Sequence, residues 1–417
     1  MADRVTVIGW DGSPLTDAAR AALQAASLVA GAAHHLALDD VPERAERIRL
    51  GSVALAARRI ARHRGTAVVL ADGDPGFFGV VRTLRAPEHG LEVEVQPAVS
   101  AVAAAFARAG MPWDDAQVVV AHSRNLRRAV NICRAHPKVA VLTSPGAGPA
   151  ELALLLGEVH RTFVICEALG TREERVTVLT SEKAVDYLWR DPNVVIAVGG
   201  HTRPQAPVDV DPAAAARPVR SGDGWLAGRT PGYPDGPRGW AGHGPVPDRG
   251  ARTDGRSQEL RAAQLARLGP RPGDLVWDIG CGPGLIAADA ARFGAAVIAV
   301  DRNAEALART TARAAETGVM LEAVHGGAPQ VLERLPEPDV VRIGGGGLRT
   351  VEACADRRPE RIVTHATTRD EAEATGRALA DRGYRVECAL LQSVEMDTED
   401  WTERDRTVVF LLSGSRM

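Results

Sequence analysis

The sequence predicts an α/β protein built as two units in tandem, and three observations carry that prediction. Short β-branched runs alternate with Ala/Leu/Arg-rich helical stretches over the first 200 residues. The alternation stops across residues 201–254, which are dense in Pro and Gly and show no periodicity. It resumes after about residue 255. A chain of 417 residues is too long for one ordinary core, so two or three domains are expected.

In the first unit, strands are expected at 4–9, 66–71, 92–97, 117–122, 139–144, 162–169 and 193–198. Helices are expected at 15–29, 53–64, 99–109, 149–157 and 181–188. In the 201–254 segment, Trp225, Leu226, Tyr233 and Trp240 argue against a wholly disordered tether, so parts of it are expected to pack on the C-terminal unit. That unit opens with a helix at 257–268. Strands follow at 274–280, 295–301, 320–326, 339–345, 361–366, 384–396 and 406–414. Seven strands with intervening helices and a hairpin-like end suit a Rossmann-like fold.

Composition narrows the function. A net charge of −3 gives no electrostatic footprint for nucleic acid, so no nucleic-acid partner is expected. No lysine follows Lys183, which excludes Schiff-base chemistry in the C-terminal unit. Five scattered cysteines without a C-x-x-C pair form neither a zinc site nor a disulfide framework, so no metal is expected and a reducing cytoplasm fits. The N-terminus shows no signal-peptide pattern, and no apolar run is long enough to cross a bilayer, so no membrane partner is expected.

The sharpest motif is Asp278-Ile-Gly280-Cys-Gly282-Pro-Gly284, between a strand and a helix. The glycines permit a tight turn and close approach of a ligand to the backbone. Such a turn serves S-adenosylmethionine or NAD. Asp278 before the first glycine suits the amino-acid end of the sulfonium ligand. Asp301, 17 residues beyond Gly284, can accept from both ribose hydroxyls in either case. The second glycine run, Gly344–Gly347, also has a place in methyltransferases. Cys281 reads as a small filler rather than a nucleophile.

In the first unit, "VTVIGWDGSPLTDAARAALQ" turns through Gly9 and Gly12 and caps a helix near Thr16. "VVLADGDPGFFG" places Gly73-Asp74-Pro75 at a strand end, and "QPAVSAVAAAFARAG" puts Ser100 and Ala101 at a helix start. With "VICEALGTREERV", in this order and spacing, these loops resemble the tetrapyrrole (corrin/porphyrin) methylase family. Followed by the glycine-rich half, with "GGAPQVLERLPEPDVVRIGGGG" and "DTEDWTERDRTVVFLLSG", they resemble the decarboxylating precorrin methyltransferases of cobalamin biosynthesis.

The resemblance implies a two-lobed tetrapyrrole methylase fold over 1–200 (lobes about 1–97 and 98–200). A linker over 201–254 and a Rossmann-like class I methyltransferase fold over 255–417 follow. It implies two S-adenosylmethionine sites per chain. Gly9, Gly73, Asp74, Pro75, Ser100 and Ala101 would form one; Asp278, Gly280, Gly282, Gly284, Asp301 and Ala328 would form the other. The implied reaction is methylation of a precorrin tetrapyrrole at C5 and C15 with loss of the ring C acetate carboxyl, in a homo-oligomer. His122, Arg124 and His365 are the catalytic candidates, each with a plain alternative as a loop or strand-end residue. His35 after the first helix reads equally as a packing residue, and Arg127 and Arg128 as a solvated helix face. Ser257 and the 365–370 stretch depart from the family pattern. Other readings are a fusion acting on another tetrapyrrole or small molecule, and a cofactor-binding regulator without turnover.

Overall fold

A computed structural model describes residues 4–199, 227–228 and 258–417. Three sheets organise them. The first lobe holds β1 (Arg4–Trp10), β2 (Leu28–Gly31), β3 (Glu46–Arg49), β4 (Ala67–Asp72) and β5 (Glu92–Gln96), in the order β3-β2-β4-β1-β5 with every pairing parallel. Helices cover both faces of such a sheet, which is why its central strands read as continuous apolar runs: Val5, Val7 and Ile8 are buried, as are Val68, Val69 and Leu70.

The second lobe holds β6 (Gln117–Val120), β7 (Lys138–Leu142), β8 (Thr162–Glu167), β9 (Arg175–Thr180) and β10 (Asn193–Val198). Their order is β6-β7-β10-β8-β9, and only β6 and β7 run parallel. The C-terminal unit holds β11 (Leu275–Ile279), β12 (Ala296–Asp301), β13 (Glu322–His325), β14 (Val340–Ile343), β15 (Arg361–Ala366), β16 (Tyr384–Met396) and β17 (Glu403–Arg416). They form one sheet, β13-β12-β11-β14-β15-β17-β16, parallel except at β17 and β16. Adjacent residues alternate between its faces: Val276 joins the core under the 258–268 and 285–292 helices, and Trp277 joins the core on the other side.

The sequence reading errs in four places within the first unit. The helix expected over 15–29 ends at Gln24, and Leu28–Gly31 is the fully buried β2. Alanine-rich sequence favours helix locally, but pairing with β3 and β4 wins. β3 and β9 were not expected, and the 181–188 helix is a 3-10 turn over Ser181–Asp186. Thr16 does cap the first helix, its Oγ1 accepting from Ala19 N at 3.2 Å.

The second lobe docks on the C-terminal unit through the helix Leu126–Ala135. Asn131 is buried there, and its Nδ2 donates to Gly273 O (3.0 Å) and to Asp339 Oδ2 (3.3 Å). Arg127 pairs with Asp339, Arg134 approaches Glu322 at 3.5 Å, and Ala135 packs against the core that holds Trp277. The Arg128 side chain covers Gly273. The expected solvated face at Arg127 and Arg128 is therefore an interface. Of the 201–254 segment, Ala227 and Gly228 are described, and they sit on the second lobe instead of the C-terminal unit. Gly228 N donates to Asp114 O at 2.6 Å, and Gln117 Nε2 donates to Gly228 O. Trp225, Leu226, Tyr233, Trp240 and Ser257 lie outside the described residues.

Candidate active sites

The first site is assembled where the strands of the first lobe end, the edge at which parallel α/β sheets hold ligands. Gly9 lies against the loop after β4: a Cβ there would stand 2.2 Å from Gly73 O and 3.0 Å from Pro75 Cδ. Gly73 has φ +61°, and a Cβ on it would meet Ala101 N at 2.9 Å. Asp74 Oδ1 accepts from Gly76 N at 2.8 Å and so shapes the turn that presents Phe77 and Phe78, both exposed. Ser100 Oγ accepts from Ala103 N at 3.1 Å and caps the helix Ala101–Ala109. Gly9, Gly73, Asp74, Pro75, Ser100 and Ala101 thus lie in loops packed together at one corner. The second lobe closes on it at Gly170, where a Cβ would lie 2.0 Å from Asp11 O.

His122 and Arg124 follow β6. His122 N donates to Asn125 Oδ1 (2.8 Å), and Arg124 N donates to His122 Nδ1 (3.3 Å). These bonds are local and do not reach the Gly73–Ser100 corner. With Nδ1 accepting, the neutral His122 ring carries its proton on Nε2, which makes that nitrogen a donor.

One cluster escaped the sequence reading. His34 Nε2 lies 2.8 Å from Asp72 Oδ1, and the buried His35 Nε2 lies 3.0 Å from the same oxygen, off the line of a well-aligned hydrogen bond. Trp10, His34 and His35 pack their rings together, with centroids 4.0–6.0 Å apart. Burial works to raise the Asp72 carboxyl, but the two imidazoles hold it below its ordinary value. The hydrogen bond to Asp72 in turn raises His34 above its usual 6.5, against partial burial. Only His35 was legible beforehand. The signal for the rest is a polar pair, Asp72 and the adjacent histidines, at the ends of two neighbouring buried strands.

The second site lies at the carboxyl ends of β11, β12 and β14. Gly280, Gly282 and Gly284 have φ of +68°, +56° and +72°. A Cβ on Gly284 would stand 2.5 Å from Thr310 Cγ2, so the turn accepts glycine alone. Asp301 ends β12; its Oδ2 accepts from Gly282 N and its Oδ1 from Asn303 N, each at 2.9 Å. Asp278 is fully buried. Its Oδ1 accepts from Arg342 Nη1 at 2.9 Å, while Oδ2 has no hydrogen-bond partner. Arg342, itself buried, also donates to Gly280 O (3.1 Å) and through Nε to Gln264 Oε1 (3.1 Å). Gln264 Nε2 approaches His365 Nδ1 at 3.4 Å. A cavity of about 120 Å³ lined by Gly344, Gly345, Thr364, His365 and Glu371 opens beside this network. Ala328 sits at its flank, its carbonyl accepting from Thr350 Oγ1 at 3.5 Å. Burial pushes the Cys281 thiol up to about 12, aided by the Asp278 charge, which keeps it a neutral filler. Arg342 was missed, although an arginine inside "DVVRIGG" breaks an otherwise apolar strand.

A two-lobed unit followed by a Rossmann-like sheet, each with a glycine-built corner at its strand ends, is the arrangement of a tandem methyltransferase. Residues 10–185 match the model of the Tetrapyrrole (Corrin/Porphyrin) Methylases, and residues 252–397 match that of the Precorrin methyltransferase domain. A precorrin-6Y C(5,15)-methyltransferase [decarboxylating] from Sinorhizobium sp is 34% identical over 75% of this chain and 70% of its own. A cobalt-precorrin-7 C(5)-methyltransferase from Salmonella typhimurium is 37% identical over 41% of this chain and 88% of its own. A protein of Pyrobaculum calidifontis named as a probable cobalt-precorrin-6B C(15)-methyltransferase (decarboxylating) is 36% identical over 31% of this chain and 71% of its own. The chain belongs to the precorrin-6Y C5,15-methyltransferase (decarboxylating) family. Among the described residues, no helix is long and apolar enough to cross a membrane.

Proposed function

We propose that the chain methylates a precorrin at C5 and C15 and removes the ring C acetate carboxyl as CO2, using one S-adenosylmethionine site in each unit. The observation that carries this reading is the pair of separate glycine-built corners in one chain. It is supported by two relatives that each cover less than half of the chain and are each named for a single methylation.

The residues fit the ligand. The buried Asp278 Oδ2 is an acceptor that lacks a partner, suited to the ammonium or an ordered water at the amino-acid end of S-adenosylmethionine. Asp301 retains lone pairs for the ribose hydroxyls beyond the two backbone bonds that fix its carboxylate. In the first unit Gly9 and Gly73 clear the backbone of side chains, and Asp74, Pro75, Ser100 and Ala101 line the same corner. When bound, S-adenosylmethionine supplies an electrophilic methyl group. The chain's own residues contribute orientation of the enamine-like ring carbon and exclusion of water. On this reading Arg124 would hold a substrate carboxylate; His365 lines the cavity of the second unit. The domain boundaries that go with this reading are 1–200, 201–254 and 255–417.

The test is product analysis with a reduced precorrin and S-adenosylmethionine. The expected product has gained two methylene units of mass and lost one CO2. Calorimetry should find two S-adenosylhomocysteine molecules bound per chain. A single methylation with one bound ligand would reduce the chain to one working unit.

A further inference from the structure

We propose that His34 is the proton acceptor of the first site, taking the hydrogen that a substrate ring carbon sheds after it has been methylated, with Asp72 and His35 as its positioning residues. The inference rests on the function proposed above and deepens it.

A ring carbon that carried one hydrogen and has accepted a methyl group holds both. Conjugation returns only when the C–H bond breaks, its electron pair moving back into the ring and its proton passing to a base. No oxidant or second reactant is needed. The base must sit beside the cofactor corner, present a lone pair and exchange with water. His34 stands where β2 ends, its ring held by Asp72, the residue immediately before Gly73-Asp74-Pro75. Its neutral ring gives the Nε2 proton to Asp72, so Nδ1 keeps a lone pair, and no protein partner among the described residues occupies it. The side chain is 43% exposed, enough to pass a proton on to solvent.

The neighbours fail one requirement each. Asp72, against burial, is held below its ordinary carboxyl value by the two imidazoles and is the weaker base. Asp11 and Asp74 accept backbone N–H groups, and a carboxylate is ordinarily a far weaker base than an imidazole. His122 and His35 each accept a backbone N–H at Nδ1, from Arg124 and Ala32 respectively, so each presents a protonated Nε2. The same fact argues against a cation at the His34–His35–Asp72 cluster, whose ligand atoms otherwise lie within 4.8 Å of one another. A neutral His35 with Nδ1 accepting has no lone pair left on Nε2 to give a metal. A carboxylate that orients one imidazole and stabilises its protonated form is a recurrent arrangement for general bases.

Three measurements on the full chain test this. His34→Ala should slow formation of the deprotonated C5-methylated product by about a hundred- to ten-thousand-fold while C15 methylation continues, and added imidazole should restore part of the loss. Deuterium at C5 should give a primary isotope effect that is larger in the variant than in the wild type. Independently of turnover, ¹⁵N spectra of the histidines should show His34 protonated at Nε2 and bare at Nδ1 above its titration. In Asp72→Asn the His34 midpoint should fall, because the carboxylate that favours its protonated form is gone. Unchanged C5 methylation in a folded His34→Ala protein, or a His34 proton on Nδ1, overturns the assignment. A wild-type chain that methylates neither carbon overturns the function itself.

Discussion

The two clefts solve the same problem with opposite electrostatics. In the first, His34 and Asp72 stand half in water above the buried His35, where a proton can be handed on. In the second, a carboxylate and a guanidinium are locked together in the core, Asp278 at 0% and Arg342 at 3% exposure. A half-exposed pair can change protonation during turnover; a fully buried one cannot without a large desolvation cost. On the function proposed above, the first cleft would move protons and the second would hold a fixed field around its ligand.

The sharpest way to break this contrast is Arg342→Ala. It would leave Asp278 charged, buried and unpaired, and should destabilise the C-terminal unit by about 3–5 kcal/mol. Urea unfolding should show the loss, and Asp278→Asn in the same chain should recover part of it. A loss below about 1 kcal/mol would mean that the pair is not locked, because that is the range of solvated pairs.

Acid should act on the first unit. Burial pushes His136, at the end of the docking helix, down to about 4 from 6.5. The unfolded chain therefore takes up a proton before the folded one does. The resulting stability is present above pH 6.5 and drains away as pH falls towards 4, by up to about 3 kcal/mol. His34 has the opposite sign, its raised value favouring the fold below 6.5, but it is exposed and screened. Between pH 7 and 4 the wild type should lose stability more steeply than His136→Gln, the difference between their unfolding free energies shifting against the wild type towards the acid end.

Asp301→Ala should weaken binding at the second site by about 1.5–3 kcal/mol, the value of a bond to a charged group. That is roughly one to two decades of affinity. Methylation at C15 and decarboxylation should fail together while C5 methylation persists. Loss of both methylations would show that the two clefts are coupled through the docked helix.

The smallest effects belong to the interface itself. Asn131→Ala removes a buried amide that serves two acceptors and should cost about 1 kcal/mol. Arg127→Ala removes a half-exposed ion pair and should cost less than that. A double-mutant cycle read by thermal unfolding should separate the two.

Much of the architecture was legible in the residues because buried parallel strands leave unbroken β-branched runs. β11, β12 and β15 fall within a residue of expectation, and Gly280, Gly282 and Gly284 make the tight turn expected of them. What the sequence concealed has a common physical cause. β2 is four residues long in alanine-rich company, and β9 is a half-wet edge strand. Asp72 and Arg342 matter through partners 38 and 64 residues away, and no local pattern announces such a pair. Arg127 and Arg128 have the spacing of any exposed helix face until the other unit is placed against them.

Asp339 has a consequence for how such an enzyme can be divided between genes. Its Oδ2 accepts from Leu275 N at 2.8 Å, inside its own unit, and the same carboxylate receives Asn131 and Arg127 from the other. Cut free, the C-terminal unit would keep the first bond and turn the rest of that carboxylate towards water, where it needs no neighbour. The N-terminal unit would likewise expose Asn131 harmlessly. Separation thus leaves no stranded charge on either side, and the same two halves can be inherited as one polypeptide or as two without redesigning either core.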